Sequence, residues 1–359
     1  MKKQLCAVQM HWKVSDYRAP VAFENKINSI MKKIREKTGP DVISLVVFPE
    51  DVGTPLVFLN SYEKVKNAST IEQAVKILIR MNLPKVLFYR ARFGVGWIRA
   101  LALAKSREMA RVYFDVFSRM AKHYGVYIIA GSILLPGFQW ERDPGKTRYS
   151  ISDGNVYNIA FLFDYEGKLA GVQKKTHLVP GLEDKDGFDL CPGVIDELEV
   201  FDTPFGKIGI AICLDCFKEP VIESLASKGA DILVQPSANS KVWDKAEQEG
   251  WMEGCFKAMK TEKRFKYGIN PMMTGCLFDL CFEGQSSILS NVDLAGDNNG
   301  NDNEKSMKNR MKNNLAGKPE SKLPRGSIML GYKDLDKVES FVRMAETSSG
   351  EEVLFFEIP

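Results

Sequence analysis

Apolar residues recur along this chain at two spacings, and their alternation sets the fold class. The run from Lys3 to Met10 predicts a strand, and Ile27, Ile30, Met31 and Ile34 then return every three to four residues, the spacing of one helix face. A strand over Ile43 to Phe48 follows. Ile98, Leu101, Val112, Val116, Phe117, Met120 and Tyr124 lie on a second helical face that leads into a strand over Val126 to Ala130. Further strands are expected over Asn155 to Phe163, Ile208 to Cys213, Ile232 to Gln235, Asn270 to Cys276, Ser286 to Leu289 and Val353 to Ile358. Helices are expected over Pro220 to Lys228, Asp244 to Lys263 and Leu335 to Ala345. Strands this apolar, alternating with helices, imply sheets covered by helices. Periodicity says no more than that.

Three stretches carry residues suited to attack on a carbon–nitrogen bond. Glu50 ends the run SLVVFPE, Lys175 sits in QKKTHLVP, and Cys213 follows the apolar KIGIAI. A thiol with its ordinary pKa of roughly 8.5 is mostly protonated at neutral pH, so a nucleophilic Cys needs a base or a cation beside it. Glu50 is suited to take the proton and to return it to a leaving amine. Lys175 and the backbone N–H of Leu214 suit the charge that develops on the former carbonyl oxygen. Such a set calls for no metal and no cofactor.

In these stretches the chain resembles the nitrilase superfamily of carbon–nitrogen hydrolases. Val46-Val47-Phe48-Pro49-Glu50 matches its first motif, and Lys175-Thr176-His177-Leu178 matches its K-x-H-L. Ile212-Cys213-Leu214-Asp215 matches the segment around its nucleophile, which Phe217 and Glu219 continue loosely. LCAVQM, YGVYIIAGS, DILVQPSAN and FEGQSSIL are further echoes. The resemblance implies a four-layer αββα sandwich and a catalytic Glu50, Lys175 and Cys213. Glu183, just past K-x-H-L-x-P, stands where a second glutamate often lies. It implies an amide or N-carbamoyl substrate, hydrolysed through a thioester, and association into a homodimer or higher homo-oligomer. The nitrilase branch proper follows its Cys with Trp-Glu, whereas Leu214-Asp215 follows here. Soluble acyl transfer with the same triad and a non-catalytic binding protein of the same fold are the competing functions.

Other cysteine arrangements compete. Cys213-Leu214-Asp215-Cys216 is a C-x-x-C that would suit a redox pair, but that role leaves Glu50 and Lys175 idle. Cys213, Cys216, Cys276 and Cys281 can be drawn as a four-thiolate zinc site. His177 suggests a Cys/His protease, although the resemblance makes it structural. Lys174 is expected to be the solvated neighbour of Lys175.

Composition supports a soluble enzyme: 359 residues, 45% hydrophobic and 26% charged, suffice for one large core. Seven cysteines without a dense disulfide pattern suggest reduced thiols and a cytoplasmic protein. MKKQLCAVQM is too short in apolar length for a signal peptide, and no stretch reaches the ~18 apolar residues of a membrane span. A net charge of +3 points to no partner.

We expect a single domain, 1–359, with insertions at about 60–100 and 293–325. The second is rich in Asn, Asp, Lys and Gly and reads as a solvated loop. The first runs into Arg80, Lys85, Arg90, Arg92, Arg99, Lys105, Arg107 and Arg111 against Glu108 alone, interleaved with Leu87, Phe88, Tyr89, Phe93 and Trp97. It is expected to pack as a lid or subunit contact, with membrane-surface contact a lesser reading and nucleic acid unsupported. Leu214, Trp243, Arg90 and Arg92 are the candidate substrate contacts; Trp243 could equally be helix-start packing.

Overall fold

The amino-terminal strand shows how the layers arise. Cys6, Val8, Met10 and Trp12 point into one apolar core and Leu5 and Ala7 into another, because successive side chains of a strand leave opposite faces. The structure is a computed structural model, and it describes residues 2–39, 41–143, 146–260, 264–291 and 341–359.

In chain order the strands are β1 (Lys2–Lys13), β2 (Val42–Val47), β3 (Tyr127–Asp143), β4 (Lys146–Phe163), β5 (Leu169–Lys174), β6 (Val200–Thr203), β7 (Gly206–Ile210), β8 (Ile232–Val234), β9 (Ser237–Ala238), β10 (Tyr267–Asn270), β11 (Met272–Leu277), β12 (Leu280–Phe282), β13 (Ser287–Ser290), β14 (Phe341–Met344) and β15 (Glu352–Ile358). The helices are α1 (Pro20–Lys37), α2 (Tyr62–Val65), α3 (Ile71–Met81), α4 (Leu83–Phe93), α5 (Trp97–Tyr124), α6 (Glu219–Ser227), α7 (Lys245–Trp251) and α8 (Cys255–Lys260). Among the described residues one sheet runs β12-β11-β1-β2-β3-β4-β5, with β15 also on β1 and β9 also on β11. The other runs β14-β13-β10-β8-β7-β6.

The two sheets meet face to face. Leu45, Val47, Ile129 and Leu162 of the first pack with Ile208, Ile210, Val234 and Ile269 of the second. Outside the first sheet, α1 and α5 bury Ile27, Ile30, Tyr113 and Phe117. Outside the second, α6 and α8 bury Val221, Leu225 and Met259. The result is the αββα sandwich, with an apolar core in each of its three interfaces.

Several expected elements have different limits. The strands at Val126 and Asn155 extend into a long antiparallel pair, β3 with β4. The single strand expected over Asn270 to Cys276 is two strands in different sheets, split at Pro271, which has no N–H to continue a ladder. The helix expected over Asp244 to Lys263 breaks at Met252–Gly254, where a side chain on Gly254 would meet Phe217 and Gln235 at 3.1 Å; residues 261–263 lie outside the described residues. Of the helix expected over Leu335 to Ala345, residues 335–340 also lie outside them, and Phe341–Met344 is a strand against β13. The insertion expected over 293–325 lies wholly outside them.

The first insertion is helical. Thr70 caps α3 by accepting from the backbone N–H of Gln73 at 3.1 Å, and Gly94, with φ +67°, ends α4. Ala74, Leu78, Val86, Ala100 and Leu101 form its own small core against Phe58.

The reduced-thiol expectation needs correction. Cys276 and Cys281 face each other across β11 and β12 and form a disulfide; the other five cysteines are free. That bond takes both residues out of the four-thiolate zinc arrangement and removes the footing of the cytoplasmic assignment. Among the described residues, no helix is long and apolar enough to cross a membrane.

Candidate active site

Each catalytic candidate stands just past the end of a strand, where the two sheets meet. Phe48 and Pro49 carry the chain from β2 to Glu50, and the tight turn that follows puts Asp51 at φ +60°. Lys175 is the residue after β5, and its backbone N–H donates to Asn158 O at 2.9 Å, which continues the ladder to β4. Strand alternation then turns Lys175 inward and Lys174 outward. Lys174 lies over the Tyr157 ring and reaches Glu197 at 3.4 Å.

Lys175 is 1% exposed and sits between two carboxylates. Its Nζ donates to Glu50 Oε1 at 2.8 Å and to Glu183 Oε2 at 2.7 Å. Burial alone would pull the ammonium toward neutrality; Glu50, the neighbouring Cys213 and Glu183 outweigh it and hold the group charged. Asn158 Nδ2 donates to both glutamates, at 2.9 Å to Glu50 Oε1 and 3.1 Å to Glu183 Oε1. The backbone N–H of Ala238, in β9, donates to Glu50 Oε2 at 3.1 Å, and that of Val179 donates to Glu183 Oε2 at 2.8 Å.

Cys213 begins a one-turn 3-10 helix (Cys213–Phe217) after β7, with φ +48°. A residue with a Cβ rarely adopts that region, so the turn holds about 1–3 kcal/mol of strain that the surroundings must balance. Its N–H donates to Pro236 O at 2.9 Å and its carbonyl accepts from Gln235 Nε2 at 3.2 Å, which clamps the residue from both sides. Burial first and the Glu50 carboxylate second hold the thiol well above its ordinary value, against the downward pull of Lys175. Burial also pushes Glu50 up to about 8 against the pull of Lys175. A buried thiol beside a carboxyl that titrates near neutrality is a pair able to pass a single proton back and forth.

Asp215, two residues after Cys213, binds the loop after Lys175. Its Oδ1 accepts from Thr176 Oγ1 at 2.7 Å and from the His177 N–H at 2.7 Å; its Oδ2 accepts from the Thr176 N–H at 2.9 Å. His177 Nδ1 lies 3.1 Å from the same carboxylate, a structural position rather than one beside Cys213.

A cavity of about 990 Å³, counted with its mouth, opens onto Glu50, Lys175, Glu183 and Ala238. Its outer wall comes from the first insertion, which explains why that segment packs so closely: Ile71 and Val75 of α3 and Leu101 of α5 face it.

Three expected substrate contacts lie elsewhere. Trp243 lines a separate small cavity with Trp251 and Asn270, donates its indole N–H to Gln285 Oε1 at 3.0 Å, and packs edge-on against Trp251. Arg90 covers the Trp97 ring at 4.1 Å, and Arg92 lies over Phe88 and Phe93. Both arginines serve the outer face of the insertion because their rings are there; neither lines the cavity at Glu50. Leu214 is the second residue of the 3-10 turn, half-buried next to Cys213. Cys216 is buried on the far side, in the core with Val221 and Cys255. Two participants escape a reading of motifs. Asn158 looks like an ordinary polar residue in an apolar strand, and Ala238 contributes only backbone.

Comparison with known proteins agrees with this architecture. The family model for carbon-nitrogen hydrolases matches residues 5–289. The omega-amidase NIT2-B of Xenopus laevis is 35% identical over 129 residues, which cover 34% of this chain and 41% of that protein. The deaminated glutathione amidase of Homo sapiens is 26% identical over 251 residues, 65% of this chain and 73% of that protein. With the first of these curated relatives the chain shares about half their length or less. The crystal structure of Saccharomyces cerevisiae Nit3, of branch 10 of the nitrilase superfamily, superimposes with a TM-score of 0.56 at 17% identity, covering 99% of this chain and 89% of that one.

Proposed function

The chain belongs to the carbon-nitrogen hydrolase family, and from that premise we propose that it hydrolyses a non-peptide amide or N-carbamoyl bond through a thioester on Cys213. The observation that carries this reading is the buried Lys175 ammonium fixed between Glu50 and Glu183, with all three side chains on the wall of a cavity a substrate can enter. Glu50 takes the Sγ proton as the sulfur attacks the carbonyl carbon. Lys175 and the Leu214 N–H stabilise the oxyanion, and Glu50 then protonates the departing amine as the C–N bond breaks. Water, deprotonated by Glu50, attacks the thioester; the acid leaves and the proton returns to sulfur. Glu183 holds Lys175 in place and completes the charge balance of the site.

Family relatives named as amidases support this chemistry over nitrile hydrolysis. Release of ammonia from a panel of small amides, N-carbamoyl compounds, ω-amides and nitriles, with intact mass of the protein after substrate is added, tests it. An acyl mass on wild type that is absent from Cys213→Ala supports it. Turnover that survives Cys213→Ala overturns it.

A further inference from the structure

We propose that the substrate carries an uncharged apolar group of several carbons beyond its amide, seated between the inserted helices and the β11–β12 hairpin. The proposal rests on the hydrolase reading above and names the substrate class of that same site.

The argument starts from what the cavity wall can and cannot bind. Away from the catalytic floor it is mostly apolar, with Phe58, Ile71, Val75 and Leu280 on it; its polar exceptions are Thr54, whose hydroxyl is already bonded to Asp51 Oδ1 at 2.6 Å, and Trp12, whose indole N–H is buried and unpaired among the described residues. The apolar side chains offer dispersion and no hydrogen bonds. The charged residues on the wall are Glu50, Asp51, Glu183 and Lys175, three carboxyl groups and one ammonium. The ammonium is already shared by Glu50 and Glu183, at 2.8 and 2.7 Å. Arg99, the nearby arginine of α5, donates to Asp189 O and Asp189 Oδ1, both at 2.6 Å, and does not line the cavity. A substrate with a carboxylate at its far end would therefore bury a charge with no partner and with carboxylates near it, which is strongly unfavourable.

The wall is also made on purpose by three separate parts of the chain. Asp279 at the hairpin tip accepts from the Ile71 N–H, the first residue of α3, at 2.7 Å. The Phe58 ring meets that of Phe278, from the same tip, at 5.6 Å. Helix, hairpin and the turn after Glu50 are thus held together around an apolar space that opens on the catalytic groups. Burial of each substrate methylene there is worth about fourfold in affinity for the transition state.

The experiment is a kcat/KM series of straight-chain primary amides from acetamide to octanamide, set against monoamides of dicarboxylic acids of matched length. The expected result is a rise of about fourfold per methylene until the cavity is filled, with each monoamide acid at least ~10-fold below its neutral counterpart. Val75→Trp should lower the octanamide-to-acetamide ratio at least ~10-fold by filling the wall, and Val75→Lys should raise the relative rate of the monoamide acids. A flat series, or preference for the acids, overturns the proposal while Cys213 acylation by the shorter amides still upholds the hydrolase. Failure of every amide to acylate Cys213 overturns both. The wild-type series needs no variant to fold.

Discussion

Asp215 accepts the Thr176 N–H at 2.9 Å, so the residue two places after Cys213 fixes the residue one place after Lys175. Charge-assisted bonds from backbone donors are short and directional, and here they set the distance between a sulfur and an ammonium that come from different sheets. Asp215→Asn leaves the shape but replaces an acceptor with a donor opposite N–H groups. We expect a loss of about 2 kcal/mol in stability by urea titration and a fall in kcat of at least ~10-fold. Unchanged kcat would show that the two loops keep their places without it.

Cys213→Ala should abolish turnover with a modest effect on unfolding, because it removes the proposed nucleophile and only one sulfur atom from a buried site. Cys216→Ala should keep most activity and lose some stability, since that thiol fills the core behind the turn. Equal inactivation by the two would revive the C-x-x-C redox pair.

Lys175→Ala and Glu50→Gln should each lower kcat by at least ~10²-fold, the scale of an oxyanion donor or a general base. Lys174→Ala should leave kcat near wild type. Initial rates on the best substrate of the panel decide it, and parallel losses at the two lysines would show that the charge near the site matters, not the inward position.

Activity should rise with pH through about 8, the value to which burial pushes Glu50, because the carboxylate is the proton acceptor. The limb follows the Glu50 carboxyl and should vanish in Glu50→Gln. Stability follows the opposite sign. A carboxyl whose folded pKa lies above its ordinary 4.5 favours the fold at low pH, and that contribution is lost as pH rises through about 8. The Tm of Glu50→Gln relative to wild type should accordingly be higher at pH 9 than at pH 5, which a thermal scan at both values reads directly.

We propose a homodimer or larger assembly, as relatives of this family are expected to form. Light scattering at micromolar concentration tests it, and a strict monomer would count against it. Charge reversal at Arg107 and Arg111, which line an open basic groove with Lys85 and Phe88, would show whether that face takes part.

That Glu50, Lys175 and Glu183 come together is legible from motifs that place each just past a short apolar run, and the structure does bring these three side chains into contact. The K-x-H-L register selects Lys175 over Lys174, and strand alternation in the structure turns Lys175 inward. Arg90, Arg92 and Trp243 do not line the cavity at Glu50, and the sequence has no signal for that: composition shows that a segment is basic and aromatic but not which way it faces. Asn158 carried one weak signal, a buried amide inside VYNIAF, and the Ala238 N–H carried none, since backbone donors look alike in every residue. The switch of sheets at Pro271 could have been read from the missing N–H.

The strand that neighbours Glu50's own strand is also completed by the far end of the chain. Along Lys3 to Gln9, β1 pairs with β15 from Ile358 back to Glu352, while its other edge carries β2. Gln9 adds bonds to Thr347 O and Gly350 O. One edge of β1 along Lys3 to Gln9 therefore has its row of backbone donors and acceptors satisfied only when the sequence-distant β15 docks on it. Closing that edge costs more loop-closure entropy than the neighbouring β1–β2 pairing, so the order of the strands sets β2 to join β1 before β15 does.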